Sequence, residues 1–160
     1  MIKTVTYDAK QQHAAAQHLA QQLKLVCLPV SDAGSELVLN FTPAYLEMRD
    51  LEQNVAIHID FIAGSLAHRR QYGGGKNQPL GKAIGLKPGV TPSVLDATAG
   101  LAKDAFVLAT LGCPIVMIER SPFVAALIQD AIQRAATDES FAPLLKNGFE
   151  IINTHAVEYI

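Results

Sequence analysis

The chain has 160 residues, 49% of them hydrophobic and 18% charged, with a net charge of −2; that is enough apolar material for a real core and excludes the low-hydropathy, high-charge signature of disorder. Met1 to Lys10 contains no apolar core behind a basic cap, and no run anywhere approaches the ~18 apolar residues of a membrane span, so neither export nor membrane insertion is expected. Cys27 and Cys113 are the only cysteines. Far apart and in apolar surroundings, they predict free thiols rather than a disulfide or a metal pair, which suits a reducing cytoplasm.

Residues 1–62 predict a small α+β unit. Ile2 to Tyr7 has the β-branched alternation of a strand, and Asp8 can cap a helix from about Ala9 to Leu25 whose apolar positions include Ala16, Leu19, Ala20 and Leu23. Leu37–Phe41, Tyr45–Arg49 and Val55–Phe61 then read as three short strands punctuated by Thr42-Pro43 and Glu52-Gln53-Asn54, a meander or hairpin pair.

Residues 63–92 form a basic, glycine-rich connector, with a helical pattern over Leu66–Tyr72, then Gly73-Gly74-Gly75-Lys76, then a short helix near Pro79 to Ile84. No acid lies between Asp60 and Asp96, while Arg69, Arg70, Lys76, Lys82 and Lys87 supply five positive charges; the other eight bases face fifteen acids, a balance of −7. A cationic segment on an otherwise acidic chain is what a local contact to a phosphate backbone requires, because Lys and Arg displace condensed counterions there; a solvated loop would carry the same charges. The glycine run is no P-loop, since no Ser or Thr follows Lys76 and no strand directly precedes it. It reads as a hinge.

Residues 93–160 change character again. Ser93–Ala97 predicts a strand, Lys103–Leu111 a helix, Ile115–Ile118 a strand, Pro122 to about Ala136 a long helix begun by Ser121, and Phe149–Asn153 a third strand. The order β-α-β-α-β with right-handed crossovers is half of a doubly wound α/β sheet of Rossmann-like type.

Ligands of such sheets bind at the carboxyl ends of the strands. Asp96 stands where the first strand runs out, and Ala97, Thr98, Ala99 and Gly100 let backbone approach a ligand closely. The dinucleotide pattern needs three glycines, and Gly100 is the only one here, which disfavours a pyrophosphate and an NAD-linked oxidoreductase half. S-adenosylmethionine lacks phosphates and needs a small-residue turn plus an acid on the next strand for its ribose hydroxyls. Glu119, 23 residues after Asp96, holds that position, and a carboxylate can accept from both vicinal hydroxyls. Glu119 could instead pair with Arg120, Asp96 could cap the following turn, and Asp104 could serve the dipole of its helix.

The runs Ala67-His68-Arg69-Arg70-Gln71-Tyr72-Gly73-Gly74-Gly75-Lys76, Asp96 to Ala109 and Glu119-Arg120-Ser121-Pro122 together resemble the bacterial 16S ribosomal RNA guanine-N2 methyltransferase family, over nearly the whole chain. The resemblance implies a class I methyltransferase fold, S-adenosylmethionine as cofactor, and small-subunit ribosomal RNA as substrate. It implies cofactor contacts at Lys103 and Asp104, Glu119 and Arg120, and His155 and Ala156, beside Asp96 and Gly100 from the strand-end argument. Lys103 replaces an expected arginine, and His155-Ala156 replace small hydroxyl residues. His68, Arg69, Arg70 and Lys76 would border the cleft and meet RNA. The family's catalytic loop follows a fourth strand, and the chain ends at Ile160, so no catalytic residue is expected within it. Weak cofactor binding, no turnover by this chain alone, and self-association through an uncovered sheet edge are the corresponding expectations. A non-catalytic RNA-binding module is the remaining alternative.

Overall fold

The computed structural model describes residues 2–34, 36–63 and 79–159. The chain divides into two compact units, Met1–Ile59 and Asp60–Ile160.

In the first unit, β1 (Thr4–Tyr7), α1 (His13–Leu23), β2 (Val26–Pro29), β3 (Leu37–Phe41), β4 (Leu46–Asp50) and β5 (Val55–Ile57) form a five-stranded sheet in the order β2-β1-β3-β4-β5. β1 runs parallel to both β2 and β3, and β3, β4 and β5 are successively antiparallel. The expected meander is therefore present, but β2 was not expected. The apolar run from Leu25 continues α1 without a break in character, and the stop comes from Lys24, which takes a left-handed conformation (φ 57°, ψ 45°) usually left to glycine. The last strand is shorter than its apolar pattern suggests. It ends at Ile57, and the next residue, His58, stacks on Tyr45 (ring centroids 4.0 Å apart, 7° between planes). Nor does Asp8 cap a helix: its carboxylate accepts from Asn40 Nδ2 (3.0 Å), and a 3₁₀ turn at Lys10–Gln12 precedes α1 with no side-chain cap.

Val5, Ala16, Ala20 and Leu39 are buried in this unit. Buried polar groups are tolerated only when satisfied, and Thr6, Asn40 and Glu47 form one row across the sheet in which Thr6 Oγ1 donates to Asn40 Oδ1 (2.9 Å) and Asn40 Nδ2 to Glu47 Oε1 (3.0 Å). Arg49 Nη1 adds an ion pair to the same Glu47 oxygen at 3.4 Å.

The second unit holds α2 (Pro79–Ala83), β6 (Val94–Asp96), α3 (Lys103–Thr110), β7 (Ile115–Glu119), α4 (Pro122–Ala135), α5 (Ala142–Lys146), β8 (Phe149–Asn153) and α6 (Ala156–Tyr159). Its sheet is parallel throughout, in the order β6-β7-β8. This is the expected β-α-β-α-β Rossmann-like arrangement. Ser121 opens α4 as the sequence predicts, its Oγ accepting from the Val124 N–H (3.4 Å) with Pro122 in the first turn. Ile115, Met117, Ile118, Leu127 and Ile128 are almost fully buried. Beside them Phe61, Phe106, Phe141 and Phe149 form an aromatic cluster with centroids between 5.0 and 6.4 Å apart. Cys27 and Cys113 are free thiols, half-buried and buried respectively, and burial pushes the Cys27 thiol above its ordinary range. The expected helix over Leu66–Tyr72, the glycine run and the cleft residues His68, Arg69, Arg70 and Lys76 lie outside the described residues. Among the described residues no helix is long and apolar enough to cross a membrane.

Candidate cofactor site

The site is built where β6 and β7 end side by side. Parallel pairing puts Asp96 opposite Met117, so the turn leaving β6 passes over the last two residues of β7. Asp96 Oδ1 accepts from the Thr98 N–H (3.0 Å), closing a tight turn, and the Ala99 N–H donates to the Ile118 carbonyl (3.1 Å), which ties that turn to β7. Gly100 (φ 53°) and Ala102 (φ 57°) both lie in the left-handed region. With the Ala102 N–H donating to the Ala99 carbonyl (2.8 Å), they bend the chain back into α3.

Glu119 is the point at which this turn, β7 and β8 meet. The Gly100 N–H donates to its Oε2 (3.1 Å) and the Ser121 N–H to its Oε1 (2.7 Å), while Asn153 Nδ2 donates to its backbone carbonyl (2.7 Å). The carboxylate is half-buried and engaged by backbone donors rather than by the exposed Arg120. Each oxygen has about two acceptor positions. One on each is filled, so one on each remains.

A cavity of about 560 Å³ opens beside the end of β6, within the ~300–1,000 Å³ usual for small-molecule sites. Asp96, Thr98, Lys103 and Asp104 contribute to its wall, together with Leu80 and Leu101. Asp96 is half-buried with one oxygen committed to Thr98; Lys103 and Asp104 are exposed on the first turn of α3. The residues expected at the site thus fall into three groups. Asp96, Lys103 and Asp104 line the cavity, whereas Gly100 and Glu119 are hydrogen-bonded to each other outside its lining. Arg120, His155 and Ala156 follow the ends of β7 and β8 and do not line the cavity; His155 is exposed and its carbonyl accepts from the Glu158 N–H at 2.9 Å. Sequence reasoning missed Leu80 and Asn153. Leu80 reaches the cavity through the packing of α2 near α3, which no local pattern encodes. Asn153 depends on the register of β7 with β8, although a polar residue ending an apolar strand was its available signal.

Residues 18–160 match the family model described as "Putative SAM-dependent methyltransferase". The chain belongs to this family. That membership sets aside the NAD-linked alternative and accounts for a phosphate-free turn carrying a single glycine. Curated relatives include the ribosomal RNA small subunit methyltransferase J of Aeromonas salmonicida, 47% identical over 91% of this chain and 57% of its own length. The protein of the same name from Pseudomonas syringae pv. tomato is 42% identical over 90% of this chain and 54% of its own. This chain therefore spans somewhat more than half the length of these methyltransferases. A crystal structure of an SAM-dependent methyltransferase from Neisseria gonorrhoeae is similar across 97% of this chain and 61% of that one, with a TM-score of 0.76 and 25% identity.

Proposed function

We propose that this chain carries the cofactor-binding part of an S-adenosylmethionine-dependent methyltransferase acting on small-subunit ribosomal RNA, at the exocyclic N2 of a guanosine. The observation that carries the cofactor reading is the Glu119 carboxylate. Backbone N–H groups on both oxygens hold it in one orientation, and the acceptor position left on each oxygen matches a vicinal diol, the ribose of the cofactor. Asp96 lines the cavity with Oδ1 committed to the Thr98 N–H, and its other oxygen is assigned to the ammonium of the methionine moiety. Lys103 and Asp104 flank that position on α3; Arg120, His155 and Ala156 are proposed for the adenine side. When bound, S-adenosylmethionine supplies an electrophilic methyl group. The residues of this chain bind and orient it, and orientation is where such transfer gains most of its rate.

The RNA reading rests on charge and on the names of the relatives. The acid-free interval holds five cations; Lys82 and Lys87, the two in the described part, are exposed. His68, Arg69, Arg70 and Lys76 are proposed to meet RNA phosphates or the target nucleotide. The guanine N2 target comes from the resemblance of the sequence motifs.

The first test is calorimetric titration of S-adenosylhomocysteine into the folded chain, with Glu119→Ala as control. Binding is expected, and loss of the two diol hydrogen bonds should weaken it by at least ~100-fold, since bonds to a charged group contribute about 1.5–3 kcal/mol each. Equal binding by both proteins would remove Glu119 from the site. Because this chain is not expected to turn over alone, the target is tested with a methyltransferase of the relatives' full length that carries this sequence: N2-methylguanosine in the treated small-subunit RNA, read by nucleoside mass spectrometry, supports it, and another methylated nucleoside overturns it. Salt-dependent RNA binding with no cofactor effect would favour a non-catalytic RNA-binding module.

A further inference from the structure

Asn153 is the last residue of β8, paired in register with Glu119, the last of β7. At the end of a parallel ladder the final carbonyl has no further strand N–H to accept from. Here the Asn153 side chain supplies that donor, Nδ2 to the Glu119 carbonyl at 2.7 Å. The neighbouring Thr154 hydroxyl turns away and donates to Glu158 Oε2 (3.1 Å).

The peptide group that Asn153 holds is the one from which the Glu119 turn departs. The Ser121 N–H, two residues on, closes that turn onto Oε1, and Oε2 then meets the Gly100 N–H. Three segments far apart in sequence, around residues 100, 119 and 153, are joined through one glutamate. We infer that Asn153 is a positioning residue for cofactor binding: it fixes the backbone at Glu119, and thereby the carboxylate that the proposed function assigns to the ribose diol. This inference rests on that assignment. Asn153 touches neither cofactor nor substrate in this role.

The test uses Asn153→Leu, which keeps approximate shape without a donor, and Asn153→Gln, which restores one. Amide hydrogen exchange at Gly100 and Ser121 is read by NMR, with Met117 and Ile118 inside β7 as controls for general loosening, and S-adenosylhomocysteine affinity is read by calorimetry. Asn153→Leu should speed exchange at Gly100 and Ser121 several-fold, leave Met117 and Ile118 unchanged, and weaken S-adenosylhomocysteine by roughly 3- to 10-fold, the equivalent of one ordinary hydrogen bond. Asn153→Gln should recover part of both effects. Unchanged exchange at Gly100 and Ser121, or loosening that extends through β7, would overturn the inference by showing a mere strand-end cap or nothing. Faster exchange with unaltered affinity would overturn the link to the cofactor while leaving Glu119 in place. A wild-type chain that does not bind S-adenosylhomocysteine would overturn the cofactor assignment itself and this role with it.

Discussion

Two left-handed residues shape the turn between β6 and α3, and they respond differently to substitution. Around Gly100 (φ 53°) an added Cβ would meet only the Thr98 carbonyl oxygen, at 3.9 Å. Gly100→Ala should therefore cost only the backbone term, about 1–2 kcal/mol. Ala102 has the same backbone sign (φ 57°) and is fully buried. A β-branched residue there must bear the strain and overpack a closed site, so Ala102→Val should lose about 2–4 kcal/mol. Ala102→Gly should stay within about 1 kcal/mol of wild type, because relief of strain offsets the lost methyl and the freer unfolded chain. Urea denaturation of the three variants checks the order, and a Val variant as stable as the Gly variant would show that the left-handed bend is not enforced. The carboxylate at 119 was readable in the sequence because an acid at a strand end, a helix length after a small-residue turn, is a local pattern. Its hydrogen bonds to Gly100 and Ser121 were not, since they depend on how the β6–α3 turn lies over β7.

Among the elements, the strands of the second unit and its helices α2, α3 and α4 were legible because apolar runs, a Ser-Pro start and small-residue turns all agree there, whereas the short helices α5 and α6 were not expected. The first unit was less so. β2 hides in an apolar run continuous with α1, and its parallel pairing to β1 is a long-range choice that local propensity does not encode. Phe61 is the clearest case of a residue misread by pattern. Its apolar run predicts a strand, yet it lies beyond β5 and is fully buried against Phe106, Phe141 and Phe149 of the second unit, at 5.0, 5.6 and 5.4 Å between ring centroids. Asp60 holds the local turn by accepting from the Ile62 and Ala63 N–H groups (2.8 and 2.9 Å). Phe61→Ala should destabilise the second unit by about 3–5 kcal/mol, the usual cost of removing a buried ring. Thermal melting should show the loss, and near-UV or NMR signals of the other three phenylalanines should move with it. A loss below about 1 kcal/mol would mean that the cluster closes without Phe61.

For the molecule as a whole, the decisive feature is the free side of β6. β7 occupies one edge of that strand, and no strand pairs with the other among the described residues. Leu95, in the middle of β6, is 41% exposed, and the cavity that carries Asp96, Thr98 and Asp104 runs along the same strand beside Leu80 and Leu108. A strand edge left unpaired, with an exposed apolar side chain at Leu95 and no lysine or proline in it, is a template for another strand, which proteins normally blunt with such residues or a covering element. The 160-residue chain is therefore expected to associate through β6 as concentration rises, measured by light scattering coupled to size exclusion. Leu95→Lys should shift it toward monomer by placing a charge that must be desolvated in any edge-to-edge contact. The same substitution separates this edge from the exposed Val55 and Ile57 of β5 in the first unit: association unchanged by Leu95→Lys but lost on Ile57→Lys would move the contact there. A chain that stays monomeric at every concentration would mean that β6 is already protected. Because Leu95 and Asp96 line one cavity, association through β6 should also compete with S-adenosylhomocysteine. Saturating ligand should then lower the apparent mass, since a ligand that binds only the open edge draws the population toward it.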